Sequence, residues 1–250
     1  MNKIELKRRD IKIVISGDVV EYFEYRIPIS VEKREHEIIK GSKEEPKRDN
    51  NIRRAQSEIR RYVWHNITKY SKFITLTYAK TCLDFDQVLY DMKMFFKNLS
   101  REGYSKLKYL WILEHQKGRG VKENNEGSLH VHLVLFLDDF LPFQVLNKCW
   151  KQGSTDIEKI DNVDNVGAYI CKYLTKEEFD LFGKHSYHIS RGLPKPEERC
   201  HDGYITDPDF EKELLDRVDW YYMGTRDYTI ETEEKIIKNS VFYKQGRLKK

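Results

Sequence analysis

Two short stretches, Tyr109 to Glu114 and Leu129 to Leu137, are dense in aliphatic and aromatic residues, with a polar, glycine-containing stretch from Gln116 to Ser128 between them. Both are short for helices and rich in side chains that fit a pleated surface, so they predict strands. The simplest connection is an antiparallel hairpin with a long tip. Around this hairpin the pattern extends in both directions. Phe73 to Tyr78 (FITLTY) reads as a strand, and Asp84 or Asp86 starts a helix running to about Leu99, ended by Gly103. Downstream, Phe143 to Trp150 reads as a short helix, Ser154 to Ile160 as a strand and Val166 to Thr175 as a helix. The order β-α-β-β-α-β-α between residues 73 and 176 predicts an α+β fold, a central antiparallel β-sheet flanked by α-helices that cover one face.

The flanks read differently. Ile11 to Ser16 and Val19 to Ser30 are two strands about a Gly17-Asp18 turn, taken as a peripheral hairpin. Glu32 to Asn51 is charge-dense and apolar-poor, which marks a linker. After it, Ile52, Ala55, Ile59 and Val63 recur at helical spacing, with Arg53, Arg54, Arg60 and Arg61 on other faces. Glu211 to Tyr221 and Glu231 to Lys238 read as helices, and Lys244, Arg247, Lys249 and Lys250 make a basic tail. The expected organisation is an N-terminal hairpin and linker over 1–50, a core over 51–200 and a helical extension over 201–250.

Composition excludes several classes. A chain of 250 residues is long enough to bury a core without staples. Its four cysteines, Cys82, Cys149, Cys171 and Cys200, have neither zinc-type spacing nor close pairing and read as reduced thiols. The N-terminus lacks the apolar run of a signal peptide, and no stretch has the length of a membrane span, so a cytoplasmic protein is expected. The net charge of +4 balances 45 basic against 41 acidic residues, so contact with nucleic acid must come from a local patch. No Gly-x-x-x-x-Gly-Lys-Ser/Thr loop is present, which argues against a built-in P-loop helicase.

The chemistry-bearing residues lie in the middle. Strand alternation puts His130 and His132 on one face and Leu129, Val131 and Leu133 on the other. Two imidazoles on one strand are half of a divalent-metal site; equally, they are an exposed or hydrogen-bonded pair. Glu114, at the end of the partner strand, can complete a His, His, carboxylate set suited to Mg²⁺ or Mn²⁺. His115 is the rival third ligand, but alternation points it to the other side. In the helical stretch Tyr169 to Lys176, Tyr169 and Tyr173 share one stripe and Lys172 and Lys176 an adjacent one. A packing helix with solvated lysines has the same pattern. A phenol, with a pKa of about 10, is a weak nucleophile until a cation stabilises its anion or polarises its target. A bound metal and a lysine one turn away do both jobs, so the three elements together make one reaction centre.

FITLT at 73 to 77, LHVHLVLF at 129 to 136 and AYICKYLTK at 168 to 176, in that order, resemble the three motifs of the HUH endonuclease superfamily, particularly the rolling-circle replication initiators of phages and plasmids. The resemblance spans about residues 70 to 195 and implies a ferredoxin-like core with the metal on the sheet face. It implies His130 and His132 as metal ligands, Glu114 as the third, and Tyr169 as the nucleophile that becomes linked to a 5′ phosphate. Lys172 is then the motif lysine, and Tyr173 the second tyrosine of two-tyrosine members. Thr75 and Thr77, on one strand face, either support the metal site, contact the DNA backbone or simply pack. His185, Tyr187, His188, Ser190, Arg191, Lys195 and Arg199 form a basic and aromatic stretch suited to tracking phosphates and stacking on unpaired bases, or else a solvated loop.

The expected function is therefore a replication initiator that nicks and rejoins single-stranded DNA at an origin, with a host helicase as partner. A transposase or relaxase shares the chemistry, but these usually have a smaller single-tyrosine core or an N-terminal nucleophile. A nucleic-acid-binding module without catalysis is the alternative from another class.

Overall fold

Which face of a strand is apolar decides where helices settle, and both faces of the middle strands carry apolar positions. The structure is a computed structural model that describes residues 8–30, 44–116, 127–158, 160, 163–175, 186–201, 208–231 and 236–249. It divides into two compact units, Lys43–Pro194 and Met1–Ser42 together with Lys195–Lys250. Among the described residues no helix is long and apolar enough to cross a membrane.

In the Lys43–Pro194 unit the strands are β3 (Lys72–Tyr78), β4 (Lys108–Gln116), β5 (Ser128–Phe136), β6 (Gly153–Glu158) and β7 (Tyr187–Ile189). They form one sheet of order β6-β3-β5-β4-β7, antiparallel throughout. The helices are α1 (Glu44–Asn66), α2 (Phe85–Arg101), α3 (Phe143–Cys149) and α4 (Val163–Cys171). The mixed α+β architecture with antiparallel sheet and flanking helices is thus as expected, and it is consistent with an HUH-type core.

The cover is two-sided, which corrects the expectation of helices on one face. Ile74, Leu76, Trp111, Leu113, Leu129, Val131, Leu133 and Leu135 pack against Val88, Met92, Phe95 and Leu99 of α2 and Leu146 of α3. On the other face Phe73, Leu110, Ile112, Val134 and Phe136 pack against Ala55, Ile59 and Val63 of α1 and Val166 and Ile170 of α4. The reason lies in β5. Its odd-numbered leucines and valine fill one face, while the other is apolar only at Val134 and Phe136 and polar at His130 and His132. One half of that face therefore takes helices, and the other half is left for chemistry.

Local signals explain the element ends. Asp84 caps α2, its carboxylate accepting from the Asp86 and Gln87 backbone nitrogens, which satisfies orphan donors of the first turn. After α2 the chain turns through Gly103 at φ +98°, a left-handed conformation that glycine adopts without a Cβ penalty. Helix α1 begins at Glu44, so the last part of the expected linker is helical: Glu44, Lys47 and Arg48 favour helix, and the chain runs straight into the periodic segment. Ile52, Ala55, Ile59 and Val63 are all buried, as their spacing requires.

Gly153 opens edge strand β6 beside β3, where an added Cβ would collide with the Thr77 carbonyl oxygen and the Ala79 nitrogen. Gly153→Ala is expected to push β6 off β3 and destabilise the protein by about 1–3 kcal/mol, since backbone cannot move aside as a side-chain tip can. Urea unfolding checks this, and an unchanged midpoint would dismiss the close approach as a constraint.

The second unit is a sheet of order β8-β1-β2-β10-β9. Its strands are β1 (Arg8–Ser16), β2 (Val19–Ser30), β8 (Glu197–His201), β9 (Val218–Glu231) and β10 (Ile236–Leu248), with α5 (Pro208–Asp216) beside them. Ile13, Val20 and Val218 form its core with Leu214 and Leu215 of α5. The N-terminal hairpin, expected to be peripheral, lies inside this sheet, with β1 and β2 each paired on both sides. The C-terminal segment is corrected from helical to mostly strand. The helix expected over Glu211 to Tyr221 stops at Asp216, because Val218, Trp220, Tyr221 and Tyr222 are strand formers. The helix expected over Glu231 to Lys238 is replaced by the ends of β9 and β10, where Ile236 pairs with Glu231. Pairing of β10 with both β2 and β9 outweighs the local helix preference of the charged residues there.

Cys82, Cys149 and Cys171 are free thiols. Burial pushes the Cys171 thiol up to about 12, and it donates to the Gln56 carbonyl at 3.2 Å, so it acts as packing.

Candidate active site

Antiparallel pairing places registered residues on the same face, so the register shows what the sheet brings together. Three rows cross the α1/α4 face. The first is Ser154, Thr77, His130 and Glu114; the second Asp156, Thr75, His132 and Ile112; the third Glu158, Phe73, Val134 and Leu110. The third row is packed under the helices at Phe73, Val134 and Leu110. The first two carry the polar groups.

His132 is buried, at 3% exposure, and both nitrogens of its ring have a partner. Its Nδ1 lies 3.2 Å from the Thr75 hydroxyl and its Nε2 2.7 Å from Glu114 Oε2. With the proton on Nε2, the ring donates to the carboxylate and accepts from the threonine. Thr77 stands 3.5 Å from His130 Nδ1 in the matching position one row away. Thr75 and Thr77, expected at the metal site or the DNA, are thus placed against the histidines. Burial lowers the pKa of His130, with the His132 charge adding to the shift and Glu114 opposing it. His130 is therefore neutral, as a metal-ligating imidazole must be. For Glu114, burial raises the pKa, but the His132 hydrogen bond with the His132, His130 and Lys172 charges outweighs burial and holds it below the ordinary carboxylate value. His115, the rival ligand, pairs with Leu129 on the opposite face. Among the described residues no three His, Cys, Asp or Glu side chains converge as a ready-made metal cage. The donor chemistry nevertheless fits: two imidazoles whose Nδ1 atoms face threonine hydroxyls, and a carboxylate 2.7 Å from one Nε2.

The tyrosines reach this group from α4. The helix ends at Cys171, earlier than the expected Thr175, and the chain continues in a tighter turn in which Lys172, Tyr173 and Leu174 donate backbone N–H to residues three back. Gln56 of α1 fixes that ending by donating to the Leu174 carbonyl at 3.1 Å and, at 3.4 Å, to that of Cys171. The turn lays the Tyr173 ring on the His132 ring, with centroids 3.4 Å apart and planes 15° off parallel. Tyr173 donates its hydroxyl to the Tyr169 oxygen at 3.0 Å, and Tyr169 donates to Glu158 Oε1 at 2.8 Å. Lys172 Nζ sits 3.4 Å from the Tyr169 ring centroid and 4.7 Å from that of Tyr173. Burial raises the Tyr173 pKa, and its hydrogen bond to Tyr169 and the charges of Tyr169, Glu158 and Glu114 raise it further. Tyr173 therefore stays protonated.

The remaining candidates are dispersed. Lys176 and His185 lie outside the described residues. Tyr187 is half-buried on β7 and donates to Glu58 at 3.1 Å; burial and the Glu58 carboxylate push it up to about 12. Ser190 is buried, its hydroxyl accepting from the Tyr109 nitrogen at 2.9 Å. His188 stacks on Trp111 with centroids 4.1 Å apart. Arg191 is exposed, with its carbonyl accepting from Lys108. Lys195 is exposed and Arg199 pairs with Glu197; both belong to the second unit.

Reading the sequence missed Glu158 and Phe73. Phe73 supports both tyrosines, edge-on to Tyr169 at 5.2 Å and stacked with Tyr173 at 6.3 Å. The signal for Glu158 was present as alternation: Ser154, Asp156 and Glu158 make one wholly polar face of a strand.

A sheet face in an α+β unit thus joins a pair of phenols to an imidazole and carboxylate group, a set of side chains with the chemistry that phosphodiester transfer requires. Residues 71–178 match the profile of a family of replication-associated proteins, the ORF2 type. That match spans every residue of the site and supports a replication-associated role. No curated protein and no solved structure matches the chain.

Proposed function

We propose that the protein is a rolling-circle replication initiator that nicks and rejoins single-stranded DNA through Tyr169, an HUH-type endonuclease. The observation that carries this reading is an unbroken line of contacts from nucleophile to ligand group. Tyr169 is hydrogen-bonded to Tyr173, Tyr173 is stacked on His132, and His132 is bonded to Glu114. A phosphodiester laid along this line meets the phenol at one end and the imidazole and carboxylate set at the other.

Bound by His130, His132 and Glu114, Mg²⁺ or Mn²⁺ would supply charge withdrawal from the scissile phosphate. Thr75 and Thr77 hold the imidazole rings by their inner nitrogens. Phe73 and the His132 ring hold the two phenols at fixed spacing. Lys172 stabilises negative charge as it develops on the Tyr169 oxygen. Attack joins Tyr169 to the 5′ phosphate and leaves a 3′ hydroxyl. Tyr173, adjacent and protonated, is placed to take the strand in a second transfer. The substrate is single-stranded DNA at an origin, and a host helicase supplies unwinding.

The test is incubation with an origin-containing single-stranded oligonucleotide and Mn²⁺, followed by denaturing electrophoresis. A covalent adduct is expected. A non-catalytic binding module would retard the DNA reversibly and leave no adduct after denaturation, and that outcome would end the reading. A transposase or relaxase would form the adduct on a different DNA sequence, so mapping the nick on the encoding replicon separates these.

A further inference from the structure

A phenol that attacks phosphorus must lose its proton, and the contacts of Tyr169 show where that proton can go. The hydroxyl points at Glu158 Oε1, 2.8 Å away. Other neighbours are excluded as acceptors. The Tyr173 hydroxyl donates to Tyr169, Lys172 is a cation over its ring, and both nitrogens of His132 are engaged by Thr75 and Glu114. Glu158 is the last residue of edge strand β6 and is exposed, so it exchanges protons freely with water. Its register partner on β3 is the apolar Phe73. The titratable groups facing it are Tyr169, from α4, and Tyr173 and Lys172, from the turn after it. Asp156 lies two residues away on its own strand.

The geometry points to Glu158 as the proton acceptor for Tyr169 in the strand-transfer reaction. This assignment rests on the reading of Tyr169 as the nucleophile. As the bond from the phenolic oxygen to phosphorus forms and the bond from phosphorus to the 3′ oxygen breaks, the Tyr169 proton passes to the Glu158 carboxylate. The departing 3′ oxygen takes a proton from water. In rejoining, the 3′ hydroxyl attacks phosphorus, loses its proton to water, and the released phenolate recovers its own from Glu158. A carboxylate is a far weaker base than a free phenolate, but the phenol acidifies as its oxygen bonds to phosphorus, so transfer occurs within the transition state. One carboxylate thus serves cleavage as base and resealing as acid.

Single-turnover adduct formation is to be measured against pH for the full chain, Glu158→Gln, Glu158→Asp and Tyr169→Phe, with a single-stranded origin oligonucleotide and Mn²⁺. Glu158→Gln is expected to slow adduct formation by roughly 10²–10⁴-fold near neutral pH, the usual contribution of a positioned base. The deficit should narrow as pH rises toward the phenol range, and the acidic limb of the parent profile should be absent. Glu158→Asp should fall between, and oligonucleotide affinity should stay equal or tighten, since a negative charge beside the phosphate is gone. A Gln variant with the parent rate and profile, while Tyr169→Phe forms no adduct, would overturn the assignment and leave the nucleophile standing. An equal, pH-independent deficit in the Gln and Asp variants would overturn it too, marking a packing role. An adduct in Tyr169→Phe would remove the nucleophile, and this assignment with it.

Discussion

Tyr169→Phe is expected to form no detectable covalent adduct, a loss of about 10³-fold or more, while oligonucleotide binding and stability survive. The substitution removes one oxygen and leaves the ring. Its edge-on contact with Phe73 and the Lys172 cation over its face are ring contacts and remain. What disappears are two hydrogen bonds, from Tyr173 and to Glu158. Both groups released are within reach of water, so the cost to stability should stay near 1 kcal/mol, about that of one ordinary hydrogen bond. Tyr173→Phe should behave differently. Its ring remains stacked on His132, and its hydroxyl only donates to Tyr169, so the first adduct should still form. Loss should appear in the second transfer, read as covalent species that accumulate without resealed circles. Denaturing electrophoresis distinguishes the two variants, and full adduct formation in the double Phe variant would refute both assignments.

The asymmetry between the tyrosines was not legible in the residues. Helical spacing places Tyr169 and Tyr173 on one stripe and makes them look equivalent. The difference comes from where α4 ends, and that is set by Gln56 on α1, more than a hundred positions earlier, which donates to the Leu174 and Cys171 carbonyls. No local signal in the stretch from Tyr169 to Lys176 reports that donor. The histidine pair is the opposite case. Strand side chains alternate with period two, so His130 and His132 had to share a face, and the register Glu114 to His130 follows from the hairpin. Thr75 and Thr77 were readable as a pair but not as partners of the imidazoles, because that depends on β3 lying beside β5.

The outer segments show the same division between local and distant causes. The β1–β2 turn at Gly17-Asp18 was readable, since a two-residue turn is written in its own residues. That β1 and β2 form the interior of a sheet was not, because their partners, β8 and β10, come from the other end of the chain. The same distant pairing made strand of the residues at 231 and 236–238, where charge alone had favoured helix.

His132 connects the two halves of the site, and its replacement should show whether a cation works there. His132→Ala and His132→Gln are both expected to lose Mn²⁺-dependent cleavage. They separate chemistry from packing. The ring is buried against Tyr173, with Phe73 at 5.9 Å, so Ala also leaves a cavity and loosens Tyr173, at a cost of about 1–3 kcal/mol. Gln keeps most of the bulk and should cost less. A ligand that binds only the folded state raises its stability, by about 2.7 kcal/mol at a hundredfold excess over the dissociation constant. The parent protein's melting temperature should therefore rise on adding Mn²⁺, and fall back with a chelator, while neither variant responds. Ligation through Nε2 requires the His132 proton to move to Nδ1. Thr75 permits this, because its hydroxyl can accept from Nδ1 as readily as it donates to it. The Nε2 to Glu114 hydrogen bond is then the contact a cation replaces, freeing a carboxylate already held in its charged form. Undiminished cleavage in His132→Gln, or an equal thermal shift with Mn²⁺ in parent and variant, would place the cation elsewhere and reduce the imidazole to a stacking support for Tyr173.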